Sequence, residues 1–204
     1  MLSASRPAGF TMIELLIGMA ILAIVLGLGA PAMGTYLQNS KLAAATASYY
    51  AGVQAARTEA IRRNVLTQFV LTDLPLGNAG LANDPALPSV NGRSWVVRSW
   101  RPANADFDPT LVDKKSSNEG EGSVVAQAIV VNCALPAGCV GAIPFNGFGG
   151  TFDNQPYRID ISNPAAGACA PGGPVRCRQI RVSPGGQISA CDPAAPAGDS
   201  RACT

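Results

Sequence analysis

The chain has 204 residues, with 15 Lys and Arg against 13 Asp and Glu, a formal net charge of +2. That balance is too even to imply a nucleic-acid or membrane-surface partner by bulk charge. With no histidine in the chain, a His general base, a Ser-His-Asp arrangement and His metal ligands are all ruled out.

Met1 to Gly9 is a polar leader whose one basic residue is Arg6. Gly9-Phe10-Thr11-Met12-Ile13-Glu14-Leu15 follows, and the apolar run continues to Ala30 before Pro31. Leu15 to Met33 holds no charged residue, and roughly 20 apolar residues are what a membrane-spanning helix needs. A carboxylate at the edge of such a run is costly, so Glu14 is snorkelling, paired or functional. A secretory signal places its apolar region ahead of the cut and loses both. Here the polar leader comes first, and the apolar run stays behind the proposed cut.

These residues closely resemble the class III signal of type IV prepilins and type II secretion pseudopilins. The resemblance implies that a prepilin peptidase cleaves between Gly9 and Phe10 and that Phe10 is N-methylated. It also implies an assembly role for Glu14, whose carboxylate would pair with the Phe10 amine of an adjacent subunit. The expected partners are the peptidase, other pilins or pseudopilins, and the inner-membrane assembly platform. Arg6 would keep the leader cytoplasmic, leaving a single-pass inner-membrane protein with its head in the periplasm.

No proline other than Pro31 occurs between Phe10 and Asn64, so one helix can run the whole way, about 54 residues or roughly 80 Å. Pro31 is expected to kink it by removing a hydrogen bond. Beyond Pro31 the pattern turns amphipathic. Leu42, Ala45, Tyr49, Val53, Ala56 and Ala60 form one face at three- and four-residue spacing, expected to pack on a sheet. Lys41, Ser48, Arg57, Glu59, Arg62 and Arg63 fall mostly elsewhere.

The 22 Gly and 16 Pro lie mostly beyond residue 74 and point to a head rich in turns. Strands are predicted at 65–72, 94–101, 123–132, 157–162 and 176–183 from their β-branched and aromatic content. Ile159 and Ile161 alternate with Arg158 and Asp160, as in a half-buried strand. Arg176, Arg178, Ile180 and Val182 share one parity, so that face passes from basic to apolar. Pro184-Gly185-Gly186 is a turn into a short strand at 187–190. Gly147-Phe148-Gly149-Gly150 reads as a tight turn beside a strand. Long loops are expected at 73–92, 102–122 and 163–174.

The fold expected is α+β: a long N-terminal membrane-spanning helix packed on an antiparallel sheet or sandwich head, as in pilins. The parts are a cleaved leader (1–9), a transmembrane helical half (10–33), a periplasmic amphipathic half (34–64) and a β-rich head (65–204).

Ala56-Arg57-Thr58-Glu59-Ala60-Ile61-Arg62-Arg63-Asn64 ahead of a strand resembles the end of the first helix in the GspH/FimT group of minor pilins. Ser94-Trp95-Val96-Val97-Arg98-Ser99-Trp100 and Ile180-Arg181-Val182-Ser183-Pro184-Gly185-Gly186 are similar to blocks of the same group. The function implied is a structural or tip subunit of a type IV pilus or a type II secretion pseudopilus. The two machines share this signal and fold, so the chain does not separate them.

The alternative is a DNA-binding minor pilin for DNA uptake. That activity goes with a Gly-Arg-x-Arg motif, and the matching positions here read Gly186-Gln187-Ile188-Ser189, without either arginine. Arg176, Arg178 and Arg181 are the candidate DNA contacts instead.

Six cysteines in an exported head favour disulfides. Fifteen pairings exist, and nearest neighbours are Cys133 with Cys139, Cys169 with Cys177, and Cys191 with Cys203. No C-x-x-C pair occurs, so no metal is expected, and no cofactor. Neither a phosphate loop nor a nucleophile elbow is present, and Asp106 and Asp108 in a Pro-rich loop read as solvated, so no enzyme is expected.

Overall fold

A computed structural model describes residues 10–73, 88–89, 92–100, 109–116, 125–130 and 141–203. The chain divides into two compact units, Met1–Leu37 and Gln38–Thr204. Helix α1 (Met12–Arg63) runs through Pro31 unbroken and contributes to both. The side chains of residues 28–32, Pro31 among them, lie outside the description, as do those of 125–130.

In the first unit the large apolar side chains from Phe10 to Leu26 are 55–86% exposed. They point in every direction round the helix, so the apolar surface is not confined to one face. Among the described residues no helix is long and apolar enough to cross a membrane. Residues 28–32 fall inside the charge-free run Leu15–Met33.

The second unit is α+β, with the C-terminal half of α1 packed on antiparallel sheets. The described strands are β1 (Thr67–Thr72), β2 (Ser94–Trp100), β3 (Pro109–Lys115), β4 (Val125–Val130), β5 (Ala142–Phe145), β6 (Tyr157–Ser162), β7 (Arg178–Val182) and β8 (Ile188–Cys191). They form two four-stranded sheets, ordered β3-β2-β1-β5 and β4-β6-β7-β8. Every pairing between strands is antiparallel.

The helical stripe predicted for the core is there: Leu42, Ala45, Tyr49, Val53, Ala56 and Ala60 are all buried. They pack in one cluster with Phe69, Leu71, Trp95, Val97, Ile143 and Phe145 of the first sheet. From the second sheet come Tyr157, Ile159, Ile161, Ile180, Val182 and Ile188. Alternate strand residues face the helix because side chains alternate across a pleated sheet. The β6 alternation is as predicted, with Arg158, Asp160 and Ser162 half-buried between buried neighbours. Small residues on α1 bring the helix close to the sheet. A Cβ on Gly52 would lie 2.9 Å from Phe69 Cε2 and 3.0 Å from the Trp95 indole.

Two strands were not anticipated. β3 lies within the predicted loop 102–122, and β5 precedes the glycine-rich turn. Both are edges of the first sheet, and both contain proline, at Pro109 and Pro144. An edge strand needs hydrogen bonds on one side only, so it tolerates proline and charge, which mask its strand character. In the predicted strand 176–183, Arg176 and Cys177 lie outside β7. Of the tryptophan pair, Trp95 is core and donates its indole N–H to Ser48 Oγ at 3.1 Å. The Trp100 side chain lies outside the description.

Candidate functional site

The head is pinned where three sequence blocks meet. Helix α1 ends at Asn64, whose φ of 51° is left-handed. Val65 N–H returns to Ala60 O at 3.2 Å and Asn64 N–H to Ile61 O at 3.3 Å, the paired bonds of a Schellman cap. Gly147 packs directly on the Asn64 side chain, so a side chain there would displace the cap.

Asn146 Oδ1 accepts from Phe148 N–H at 3.0 Å and Gly150 N–H at 3.2 Å, tightening the turn after β5. Arg57 Nε donates to Gly149 O at 3.0 Å, tying α1 to that turn. Gly186, with φ of 79°, closes on the same Gly149 carbonyl, leaving no space for a Cβ. Thr151 N–H bonds Pro184 O at 2.9 Å from the other side. The end of the helix, the glycine turn and the closing Ser183–Gly186 turn are therefore one packed junction.

Glu59 sits one turn before the cap and is buried, although the helical pattern placed it off the core face. Arg62 Nε holds it at 2.8 Å, and Arg63 joins it as a second ion pair. The Arg62 hydrogen bond first, then the charge of Arg63, keeps the Glu59 carboxyl below its usual range against the opposing effect of burial.

At the other end of α1, Thr11 Oγ1 accepts from Glu14 N–H at 3.3 Å. Glu14 Oε2 in turn accepts from Thr11 N–H at 3.4 Å and Thr11 Oγ1 at 3.3 Å. This is a capping box, which satisfies helix donors that have no intrahelical partner. The T-x-x-E spacing carries that signal in the sequence and was missed there. In the single chain Glu14 thus already has a local partner. Phe10 is 86% exposed beside it, and Gly9 lies outside the described residues.

The three candidate DNA contacts do not form one open basic face. Arg178 Nη1 reaches Asp192 Oδ2 at 3.3 Å, and Arg176 Nη1 lies 3.7 Å from the same oxygen. Asp192 is 1% exposed, and its other oxygen accepts Ala194 N–H at 2.9 Å. Arg181 points to the opposite face of β7, where its Nε donates to Gln179 Oε1 at 2.7 Å.

Disulfides join Cys169 to Cys177 and Cys191 to Cys203. Cys133 and Cys139 lie outside the described residues. The second bridge closes a C-terminal loop in which Asp199 is held by Arg201, with Nη2 2.7 Å from Oδ2. The Arg201 side-chain and backbone hydrogen bonds, assisted by the charge of Arg176, lower the Asp199 carboxyl from 3.8 to about 2. Among the described residues no cluster of acidic or Cys side chains fit to hold a metal is present.

No curated protein matches the chain. Among solved structures, it is similar to the type IV minor pilin FimU of Pseudomonas aeruginosa (strain PAO1) in two crystal forms. One is 14% identical with a TM-score of 0.48, covering 79% of this chain and 92% of that one. The other is 15% identical with a TM-score of 0.44, covering 73% and 91%. The prokaryotic N-terminal methylation motif matches residues 4–30, and the type II transport protein GspH family matches residues 45–186. That second match takes in the stripe from Ala45 to Ala60, strands β1 to β7 and the Arg57–Gly149–Gly186 junction, and ends on Gly186. The chain belongs to the type II transport protein GspH family and carries a prepilin-type methylation motif ahead of the family's head.

Proposed function

We propose that this protein is a minor pilin or pseudopilin, a non-enzymatic subunit delivered to the inner membrane and assembled into a type IV pilus or type II secretion pseudopilus. One observation carries the reading. The methylation motif leads into a helix whose apolar side chains are uncovered all the way round. Such a helix needs lipid or other helices about it. Lipid fits the subunit before assembly, and neighbouring helices fit it afterwards.

In this reading a prepilin peptidase cuts between Gly9 and Phe10, methylates Phe10, and leaves the head in the periplasm. The capping box holds Glu14 at the first turn, next to the new amine. An amine from a neighbouring subunit would then compete with Thr11 for the same carboxylate, and a full charge pair in a low-dielectric setting outweighs neutral donors.

Intact-mass measurement of the membrane-extracted protein tests the processing step. Loss of residues 1–9 with gain of one methyl group is expected, and a mature chain that keeps Arg6 overturns it. Glu14→Gln should leave cleavage intact and lower incorporation into the filament. Normal incorporation would remove Glu14 from assembly. The DNA-uptake alternative draws little support from the head, because Arg176 and Arg178 already share the buried Asp192 carboxylate.

A further inference from the structure

The outer face of the second sheet, turned away from the helix, holds a groove of about 510 Å³ at the end of β6, β7 and β8. Its apolar walls are Pro156 and Pro184, with Ser189 from the edge strand, and its charged lining is Arg158 and Arg181. No lining residue is acidic. Arg158 and Arg181 stand directly opposite each other across the β6–β7 pair. Like charges in that position repel and are destabilising, so a protein keeps them where something else compensates.

Among the described residues the compensation of Arg158 is partial. Arg158 Nη2 lies 3.1 Å from Asp160 Oδ2, while its Nε is buried without any hydrogen-bond partner. An unmet buried donor carries a desolvation penalty, so a guanidinium that turns to a new acceptor recovers it. Gln179 completes the row, giving its Nε2 to Asp160 Oδ1 at 2.6 Å and taking Arg181 Nε.

We propose that this groove is a carboxylate-binding site that takes an acidic peptide segment of a neighbouring subunit, with Arg158 and Arg181 gripping the carboxylate. Two features favour a peptide over nucleic acid. A carboxylate is already ligated on this face by Arg158, and an arginine fork matches that group in two-point geometry. The apolar walls suit the stem of an acidic side chain and the chain on either side of it. The proposal rests on the assembly reading only for the source of the peptide.

The test uses the full chain in detergent micelles and fluorescence anisotropy. The probes are a labelled Ala/Glu hexapeptide, the same peptide with Gln for Glu, and a labelled six-nucleotide DNA strand. The acidic peptide should bind at least tenfold more tightly than either of the others. Arg181→Gln should weaken it about tenfold, and Arg201→Gln, on the distant C-terminal loop, should leave it unchanged. Ser189→Trp, which fills the groove from an exposed position, should abolish binding with the head still folded by circular dichroism. Equal binding of the Glu and Gln peptides, tighter binding of the DNA, or indifference to both groove variants would each overturn the proposal. None of those outcomes touches the intact-mass test of processing, so the two readings fail separately.

Discussion

The two halves of α1 are made of one continuous helix and treat their apolar residues in opposite ways. Residues 12–26 are the more apolar, yet Ile13, Leu16, Ile17 and Leu22 are all exposed. Residues 42–60 are richer in alanine and polar groups, yet their stripe is the floor of the core. Pattern, not apolar content, decides which half the chain's own fold can bury. A one-sided stripe meets a sheet, whereas a helix that is apolar on every side has only lipid or other helices to turn to.

The contrast breaks most readily at matched leucines. Leu42→Ala should cost the head about 2–5 kcal/mol, because it leaves a cavity against a fully packed wall. Leu22→Ala should leave the same unfolding transition unmoved. Urea titration in micelles, followed by tryptophan fluorescence, reads both, and equal losses would erase the distinction between the halves.

Next in size is the C-terminal bridge. Replacing Cys191 and Cys203 by Ser should lower head stability by about 2–3 kcal/mol through loss of the loop constraint. Non-reducing peptide mapping checks that the bridge exists, and a free thiol at Cys203 would remove the basis for the prediction.

Glycines sharpen the comparison further. In an open helix Gly→Ala gains up to about 1 kcal/mol. Gly18→Ala meets nothing within 4 Å, so it should stiffen the first half without touching the head. Gly52→Ala drives a methyl group onto Phe69 and Trp95, and should instead cost the head about 1–3 kcal/mol by overpacking. A gain at Gly52 would mean that the helix lifts off the sheet easily.

Smaller still, Thr11→Ala should weaken the first turn by about 0.5–2 kcal/mol, seen as faster amide exchange over residues 12–15. The smallest effect is a pH response in the C-terminal loop. The depressed Asp199 contributes stability above its ordinary value of 3.8, and that contribution is lost as pH falls through about 2. Carboxyl NMR of Asp199 should titrate near 2, and Arg201→Ala should return it toward 3.8.

Much of the head was legible because its signals are periodic. The stripe from Leu42 to Ala60 and the alternation in β6 each repeat often enough to outvote single residues. The edge strands β3 and β5 were not legible, since proline and lysine are tolerated where one side of the ladder is empty. Burial of Glu59 was hidden for a different reason. Its position off the stripe is right, but Arg62 and Arg63 supply the partners that let a carboxylate be buried.

The methylation motif, the long helix, the core-facing stripe and the class of the head are each written in neighbouring residues or in a short period. What the polar side chains do is set by the three-dimensional fold. It placed Arg176 and Arg178 on the buried Asp192, from a segment beyond the next strand. It set Arg158 opposite Arg181, which lie far apart along the chain. It brought Arg57, Gly149 and Gly186 into one junction. Local spacing sets which face a residue occupies, whereas its partner depends on strand order and register, which only the folded sheet supplies.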